Sequence, residues 1–172
     1  MVEDLGRYVK CPVTHWHDTQ TSVVNVKGVF YTIRSLLPMI LGTDGGLKTI
    51  VNVASVGGVL VSPGASAYQT TKLAILRLSE FLMVDHEKQG LLCYCIHPGG
   101  VATELALNMP AAMHKVLVDT PELGADTLVW LTKKRREWLG GRYISVNWDM
   151  QELLHDKERI VKNDLLKSRL AV

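Results

Sequence analysis

The sequence predicts an α/β fold with a parallel sheet and flanking helices, and three observations carry that prediction. Short β-branched or apolar runs recur at Thr49–Ala54, Leu91–Ile96 and Arg142–Val146, each too short for a helix and framed by turn formers. Segments of helical period lie between and around them at crossover spacing, which is the pattern of strands joined in parallel. The 172 residues, 47% hydrophobic and 21% charged, match one domain with a full core, and no linker, repeat or low-complexity tract interrupts them.

Met1–Thr21 has no clear period and stands apart as an N-terminal segment, so the domain proper is read over residues 22–172. From Ser22 to Leu41 the apolar residues Val23, Val26, Phe30, Ile33, Leu37 and Ile40 step by three or four, a helical stripe. Pro38 lies near its end and the cluster Gly42–Gly46 stops it. After the first strand, a Ser/Pro/Gly-rich stretch from Ser55 to Ser66 leads into a helix over Ala67–Lys88. Leu73, Leu76, Phe81 and Val84 are among its apolar positions, and Gly90 lies just past its end. The second strand is ended by His97-Pro98-Gly99-Gly100. Thr120 as cap, Pro121 at the first helical position and Glu122 in the first turn start a helix that reaches Leu131 and the basic run after it. The third strand follows, and Asp149–Val161 reads as a terminal amphipathic helix.

Charge and cysteine content narrow the function classes. Nineteen Lys+Arg against seventeen Asp+Glu leave a net charge of +2, too little to indicate a nucleic-acid or membrane-surface protein. No apolar run approaches the ~18–20 residues of a membrane span. The N-terminus carries two acids and no apolar core of a signal peptide. Cys11, Cys93 and Cys95 are an odd and small set, which points to reduced thiols and a cytoplasmic location.

Ligands of open α/β sheets collect outside the carboxyl ends of the strands, and three features converge there. The first strand ends at Ser55, the second at the turn His97–Thr103, and the helix between them opens with Tyr68-Gln-Thr-Thr-Lys72. Tyr68 and Lys72, four apart, project from one helix face with Cβ atoms ~5–6 Å apart. A phenol titrates near ~10, and a neighbouring ammonium favours its phenolate. Tyr68 is thereby suited to act as general acid toward a carbonyl or base toward a hydroxyl, with Ser55 Oγ holding the same oxygen. By itself a Tyr-x-x-x-Lys pair is more often two surface residues of a helix.

With its surroundings the pair gains specificity. Val24-Asn25-Val-Lys-Gly28, Ile50-Val-Asn-Val-Ala-Ser55, Ser66-Ala-Tyr68-Gln-Thr-Thr-Lys72 and His97-Pro-Gly-Gly-Val-Ala-Thr103 occur in this order, with Ser55 and Tyr68 thirteen apart. In this the chain resembles the short-chain dehydrogenase/reductase family. Trp138–Ser145 and Asn147–Met150 look like a subgroup abundant in fungi. The resemblance covers Ser22 to Val172 and implies a Rossmann-like sheet and hydride exchange between NAD or NADP and a small carbonyl or alcohol. It implies that Ser55 polarises the substrate oxygen, that Tyr68 is the acid/base, and that Lys72 lowers the pKa of Tyr68 and bonds the nicotinamide ribose. Asn25 falls on the helix Asn that anchors a relay water. Pro98, Gly99, Val101 and Thr103 fall on the turn bordering the nicotinamide, so the cofactor-binding set is Tyr68, Lys72 and these four. The helices carrying Asn25 and Tyr68 are those through which family members usually dimerise.

The family's glycine-rich loop, Thr-Gly-x-x-x-Gly-x-Gly, is not found in the sequence, and neither is its Asn-Asn-Ala-Gly segment. Gly57-Gly58 follows a strand but leads into Val-Leu-Val rather than a helix start, a poor phosphate cradle. The expected architecture is therefore a Rossmann-like domain truncated at its N-terminus, lacking roughly the first three strands, with an exposed sheet edge and apolar face. Dinucleotide binding by this chain alone is expected to be weak. Three functions follow: an NAD(P)-dependent oxidoreductase, a cofactor-independent isomerase or dehydratase reusing Ser55, Tyr68 and Lys72, or a non-catalytic remnant. Other conspicuous residues read blandly. His15 and His17 lack a third metal ligand nearby, so no metal site is assigned. Cys93 and Cys95 are small core groups, Lys133–Arg136 is a solvated helix end, and Trp130, Trp138 and Trp148 pack the C-terminal helices. His97 is given no chemical role.

Overall fold

The computed structural model describes residues 22–109 and 111–170, so Cys11, His15 and His17 lie outside the described residues. Its sheet has three parallel strands in the order β1-β2-β3: β1 Thr49–Val53, β2 Leu92–His97 and β3 Tyr143–Ser145. Thr49 pairs with Leu92 and Cys95 with Tyr143, so the strands end together. β2 lies between its two neighbours and is buried from Leu92 to Ile96 on both faces, which is why its sequence is continuously apolar rather than alternating. Tyr94, Ile96, Leu131, Leu139 and Ile144 form the centre of the core.

The helix carrying Asn25 opens as a π-helical turn, Val23–Gly28, and continues as α1, Val29–Gly42. Pro38 lies inside α1, which ends at Gly42, at the glycine cluster expected to stop it. Of the predicted stripe, Ile33 is buried and Leu37 and Ile40 pack partly on the core, whereas Val23 and Phe30 are exposed.

α2, Ser66–His86, departs further from its expected face. Leu76 is buried, but Leu73, Phe81 and Val84 are exposed. The buried side is instead Thr71, Ile75, Leu76, Ser79, Leu82 and Met83. Thr71 and Ser79 are tolerated there because each hydroxyl donates to a helix carbonyl, Tyr68 O at 2.7 Å and Ile75 O at 2.8 Å. An apolar-only reading of the period therefore selects the wrong stripe. Gly90 ends this region in the left-handed conformation at φ +87°, as anticipated.

α3 is the single turn Glu104–Leu107, capped by Thr103, whose Oγ accepts from Ala106 N–H at 3.2 Å. α4, Pro121–Lys133, starts at the predicted Thr-Pro-Glu signal. The basic run is not simply a solvated helix end. Only Lys133 lies in the last turn; Arg135 donates to the carbonyls of Leu47 and Gly90, and the Arg136 guanidinium stands 3.4 Å from the Trp130 ring centroid. The terminal helix is two: α5, Met150–His155, capped by Asp149, and α6, Lys157–Lys162, broken from it at Asp156. Trp130, Trp138 and Trp148 are partly buried against the core, as expected.

The two sheet edges differ. Tyr143 N–H donates to Leu166 O at 2.8 Å, and ion pairs Arg142–Asp164 and Arg169–Glu80 fasten the same C-terminal segment beside β3. At the other edge no strand pairs with the outer side of β1 among the described residues, and Val53 is exposed. No helix of the described residues is long and apolar enough to cross a membrane.

Candidate active site at the carboxyl end of the sheet

Parallel pairing brings the ends of β1 and β2 side by side, and Ala54 N–H extends the ladder to Ile96 O at 2.8 Å. Ser55 and the turn after His97 are therefore neighbours by topology. Ser55 leaves the strand extended and its Oγ accepts from Gly57 N–H at 3.0 Å, which turns the chain into the short 3-10 helix Val56–Gly58. That turn is pressed onto α2: a Cβ on Gly57 would lie 3.3 Å from Tyr68 Cε1 and one on Gly58 3.1 Å from the Lys72 carbonyl. The two glycines let the Ser55 turn pack closely against the Tyr68 turn of α2.

Tyr68 and Lys72 share one face of α2, with Lys72 Nζ 5.7 Å from the Tyr68 ring centroid. Nζ donates to Val53 O at 3.1 Å, which ties α2 to the last residue of β1. Burial lowers the Lys72 pKa, and the Cys95 thiol nearby acts in the opposite direction. Tyr68 is 38% exposed, so its phenol is accessible to a ligand while its ring edge is held by Gly57. Asn25 joins the group indirectly. Its Nδ2 donates to Thr71 Oγ1 at 3.2 Å, and Thr71 in turn bonds the Tyr68 carbonyl, so the π-helical turn is pinned to the Tyr68 turn.

Pro98, Gly99 and Val101 are half-buried in the turn after β2, and Thr103 is the exposed cap of α3. The structure thus gathers Ser55, Tyr68 and Lys72 around one turn, attaches Asn25 behind them, and sets the Pro98–Thr103 turn at the same sheet end. Sequence reasoning missed Asp119 and Asn147, which reach that turn from beyond α3 and from the end of β3. Asp119 accepts Gly100 N–H at 2.6 Å, and Asn147 Nδ2 lies 2.9 Å from each of its oxygens. His97 Nδ1 is buried without a hydrogen-bond partner among the described residues, and burial lowers its pKa against the opposing effect of Asp119. Cys93 and Cys95 are buried free thiols, pushed up by burial to about 12 and about 11, which makes them inert. No group of three or more His, Cys, Asp or Glu among the described residues is placed to hold a metal ion.

The arrangement sets a hydroxyl, a phenol and an ammonium close together at one end of the sheet. Comparison with known proteins bears on the family and the fold. The sequence profile of the short chain dehydrogenases matches residues 10–113. The short chain dehydrogenase mpl6 of Monascus purpureus is 53% identical over 149 residues, covering 87% of this chain and 50% of that protein. Another, andI of Emericella variicolor, is 43% identical over 153 residues, covering 89% and 52%. Among solved structures, a 3-oxoacyl-[acyl-carrier protein] reductase from Brucella melitensis superposes with a TM-score of 0.64 at 26% identity, over 80% of this chain and 53% of that one. A gluconate 5-dehydrogenase from Burkholderia cenocepacia, in complex with NADP and tartrate, shares the fold with a TM-score of 0.67 at 22% identity, over 79% and 56%. The chain spans about half the length of the curated relatives it matches.

Proposed function

Because the chain belongs to the short-chain dehydrogenase/reductase family, we propose that it carries the substrate and proton-transfer part of an NAD(P)-linked oxidoreductase acting on a small carbonyl or alcohol. In this reading residues 22–172 carry the catalytic portion of the Rossmann-like domain, although the family match begins at residue 10, inside the segment that the sequence sets apart. The observation that carries this reading is the packing of the Ser55–Gly58 turn on Tyr68 and Lys72, with Lys72 bonded to the end of β1.

The nicotinamide end of a dinucleotide fits what is here: a phenol, an ammonium and a glycine turn with a left-handed residue, Gly99 at φ +89°, stand at one sheet end. The pyrophosphate end finds no glycine-rich strand–turn–helix in the sequence. The chemistry the dinucleotide supplies when bound is hydride transfer. In this reading Tyr68 Oη gives a proton to the substrate oxygen in reduction and takes it in oxidation. Ser55 Oγ donates a hydrogen bond to the same oxygen. Lys72 stabilises the phenolate and bonds the ribose hydroxyls, and Asn25 holds the helix turn behind Tyr68 and the water that returns its proton. A substrate pose must bring its oxygen within ~2.6–3.2 Å of Tyr68 Oη.

The same reading makes the chain a cytoplasmic protein that pairs with a second copy through α1 and α2, whose outer faces leave Phe30, Tyr31, Phe81 and Val84 exposed. Sedimentation at micromolar concentration tests the pairing, and a stable monomer with no affinity for hydrophobic dyes contradicts it. The functional test titrates the chain with reduced nicotinamide mononucleotide, NADH and NADPH while amide and tyrosine NMR signals are followed. The expected result is that the mononucleotide shifts Tyr68, Lys72 and the Pro98–Thr103 turn, and that added short-chain ketones and aldehydes are reduced. Absence of any shift at these residues with all three nucleotides overturns the reading.

A further inference from the structure

The turn after β2 is held by a residue that no motif singles out. Asp119 pairs with Val101 in an isolated parallel bridge, and its N–H donates to Gly100 O at 3.0 Å. Its carboxylate accepts Gly100 N–H at 2.6 Å, and both of its oxygens face Asn147 Nδ2 at 2.9 Å. The turn is moulded around this group: a Cβ on Gly99 would come 2.8 Å from Asp119 Oδ2, and one on Gly100 2.1 Å from Val116 O. Gly99 is therefore glycine for two reasons, its φ of +89° and the carboxylate against its face.

The direction of the bonds matters. In a trans peptide the C=O and N–H point opposite ways, so a Gly100 N–H fixed on Asp119 directs the Gly99 carbonyl away from it. The same carboxylate is bound to Asn147, which follows β3, so the ends of β2 and β3 are tied through one side chain. The bonds from Asn147 first and Gly100 second hold the Asp119 carboxyl below the usual carboxylate range, so it is an anion across neutral pH. A carboxylate at a polar turn forms stronger hydrogen bonds than a neutral acceptor does.

We propose that Asp119 is the positioning residue of the nicotinamide-facing turn, orienting the Gly99–Gly100 peptide and, with Asn147, setting how the Pro98–Thr103 backbone meets the ring carboxamide. This rests on the dinucleotide reading above. In this role Asp119 acts through the turn, by its bonds to Gly100 and Asn147.

The test compares the full chain with Asp119→Ala, Asn147→Ala and the exchange Asp119→Asn/Asn147→Asp, each titrated with reduced nicotinamide mononucleotide and followed by amide NMR. In the exchange the carboxamide at position 119 can still accept Gly100 N–H through its oxygen, while its nitrogen donates to the carboxylate now at position 147. Asp119→Ala is expected to move the Gly100 amide signal and weaken mononucleotide binding by about tenfold or more. Asn147→Ala, at an exposed position, should weaken it by a smaller factor, and the exchange should recover most of the affinity. Recovery on exchange is what a general loss of stability does not give. Should Asp119→Ala fail to fold, Asn147→Ala and the exchange decide between the same outcomes. Binding within about a factor of two of the parent in both alanine variants, or an exchange that binds no better than Asp119→Ala, overturns the positioning role alone. No shift in the parent overturns the dinucleotide reading, and the proposal falls with it.

Discussion

Substituting Gly58 by alanine tests whether the turn that carries Ser55 is seated by contact with α2. The new Cβ would stand 3.1 Å from the carbonyl carbon and oxygen of Lys72 and 3.1 Å from Leu76 Cδ1. The first two atoms are backbone in the middle of a 21-residue helix and cannot yield without distorting its hydrogen-bond ladder. Leu76 is 4% exposed and packs with Ala54, Ile75 and Cys95, so its methyl has nowhere to go. The Val56–Gly58 turn must lift by several tenths of an ångström instead, which places the substitution among overpacking changes that cost about 1–3 kcal/mol. For a chain of this length each kcal/mol lowers Tm by about 2–4 °C, so a fall of roughly 2–12 °C is expected in a thermal melt followed by circular dichroism. Gly57→Ala is the instructive neighbour. Its Cβ meets Tyr68 Cε1 at 3.3 Å and Gln69 Cγ and Ser55 Oγ at 3.4 Å, all side-chain atoms that can move aside, so stability should hardly change while the Tyr68 ring is displaced. Gly42→Ala, whose Cβ meets nothing within 4 Å, is the control and should melt no lower than the parent. A Gly58→Ala variant that melts with Gly42→Ala would refute the argument that helix backbone sets the position of this turn.

Three further outcomes follow from the same geometry. Tyr68→Phe keeps the ring against Gly57 and removes the hydroxyl that carries the proton, so any turnover should fall ~10²–10⁴-fold with circular dichroism unchanged; activity within a factor of a few of the parent sinks the acid/base assignment. Tyr94→Phe removes the buried oxygen that accepts Arg136 N–H at 2.9 Å and should lower urea stability by about 1–3 kcal/mol, whereas an unchanged midpoint would mean the amide finds another partner. Asp119, its folded pKa lowered by Asn147 and Gly100, contributes stability that is fully present above its unfolded value near ~3.9 and is lost as pH falls through the lower folded value. Asp119→Ala should therefore remove part of the acid limb of a stability–pH curve and leave its alkaline limb alone; superimposable acid limbs would contradict this.

The strands were the most legible part of the sequence, because β-branched or apolar runs such as Ile50–Val53 and Leu92–Ile96 have one stable use in a chain of this period. Helix existence was legible too, while helix faces were not. Thr71 and Ser79 turn inward because their hydroxyls can bond their own helix, and Asn52 can reach Ser79 Oγ at 2.9 Å across from β1. That internal polar satisfaction leaves no hydrophobic signal, so the apolar positions Phe81 and Val84 mark the helix without marking its buried face. The split of the terminal helix at Asp156 and the capture of Arg135 by the Leu47 and Gly90 carbonyls are likewise tertiary choices.

The site divides along the same line. The part assigned to proton handling is local: Ser55, Gly57, Gly58, Tyr68 and Lys72 fall within a stretch of eighteen residues, and one strand end, one tight turn and one helical turn are enough to place them. Such a unit shows as a motif because its geometry is fixed by spacing. The turn after β2 is placed differently. Its glycines permit the conformation, but what selects it is a carboxylate nineteen residues on and an amide another twenty-eight beyond that. Neither residue type nor separation marks such a tie in advance, since an Asp before Thr120-Pro121 reads as helix-start chemistry and an Asn after a strand reads as a turn. The consequence is an asymmetry in how the two parts respond to change. Substitutions within 55–72 alter chemistry at the atoms they touch, whereas substitutions at 119 and 147 act on the Pro98–Thr103 turn from outside it, and only the recovery of the Asp119→Asn/Asn147→Asp exchange separates that action from a loss of fold.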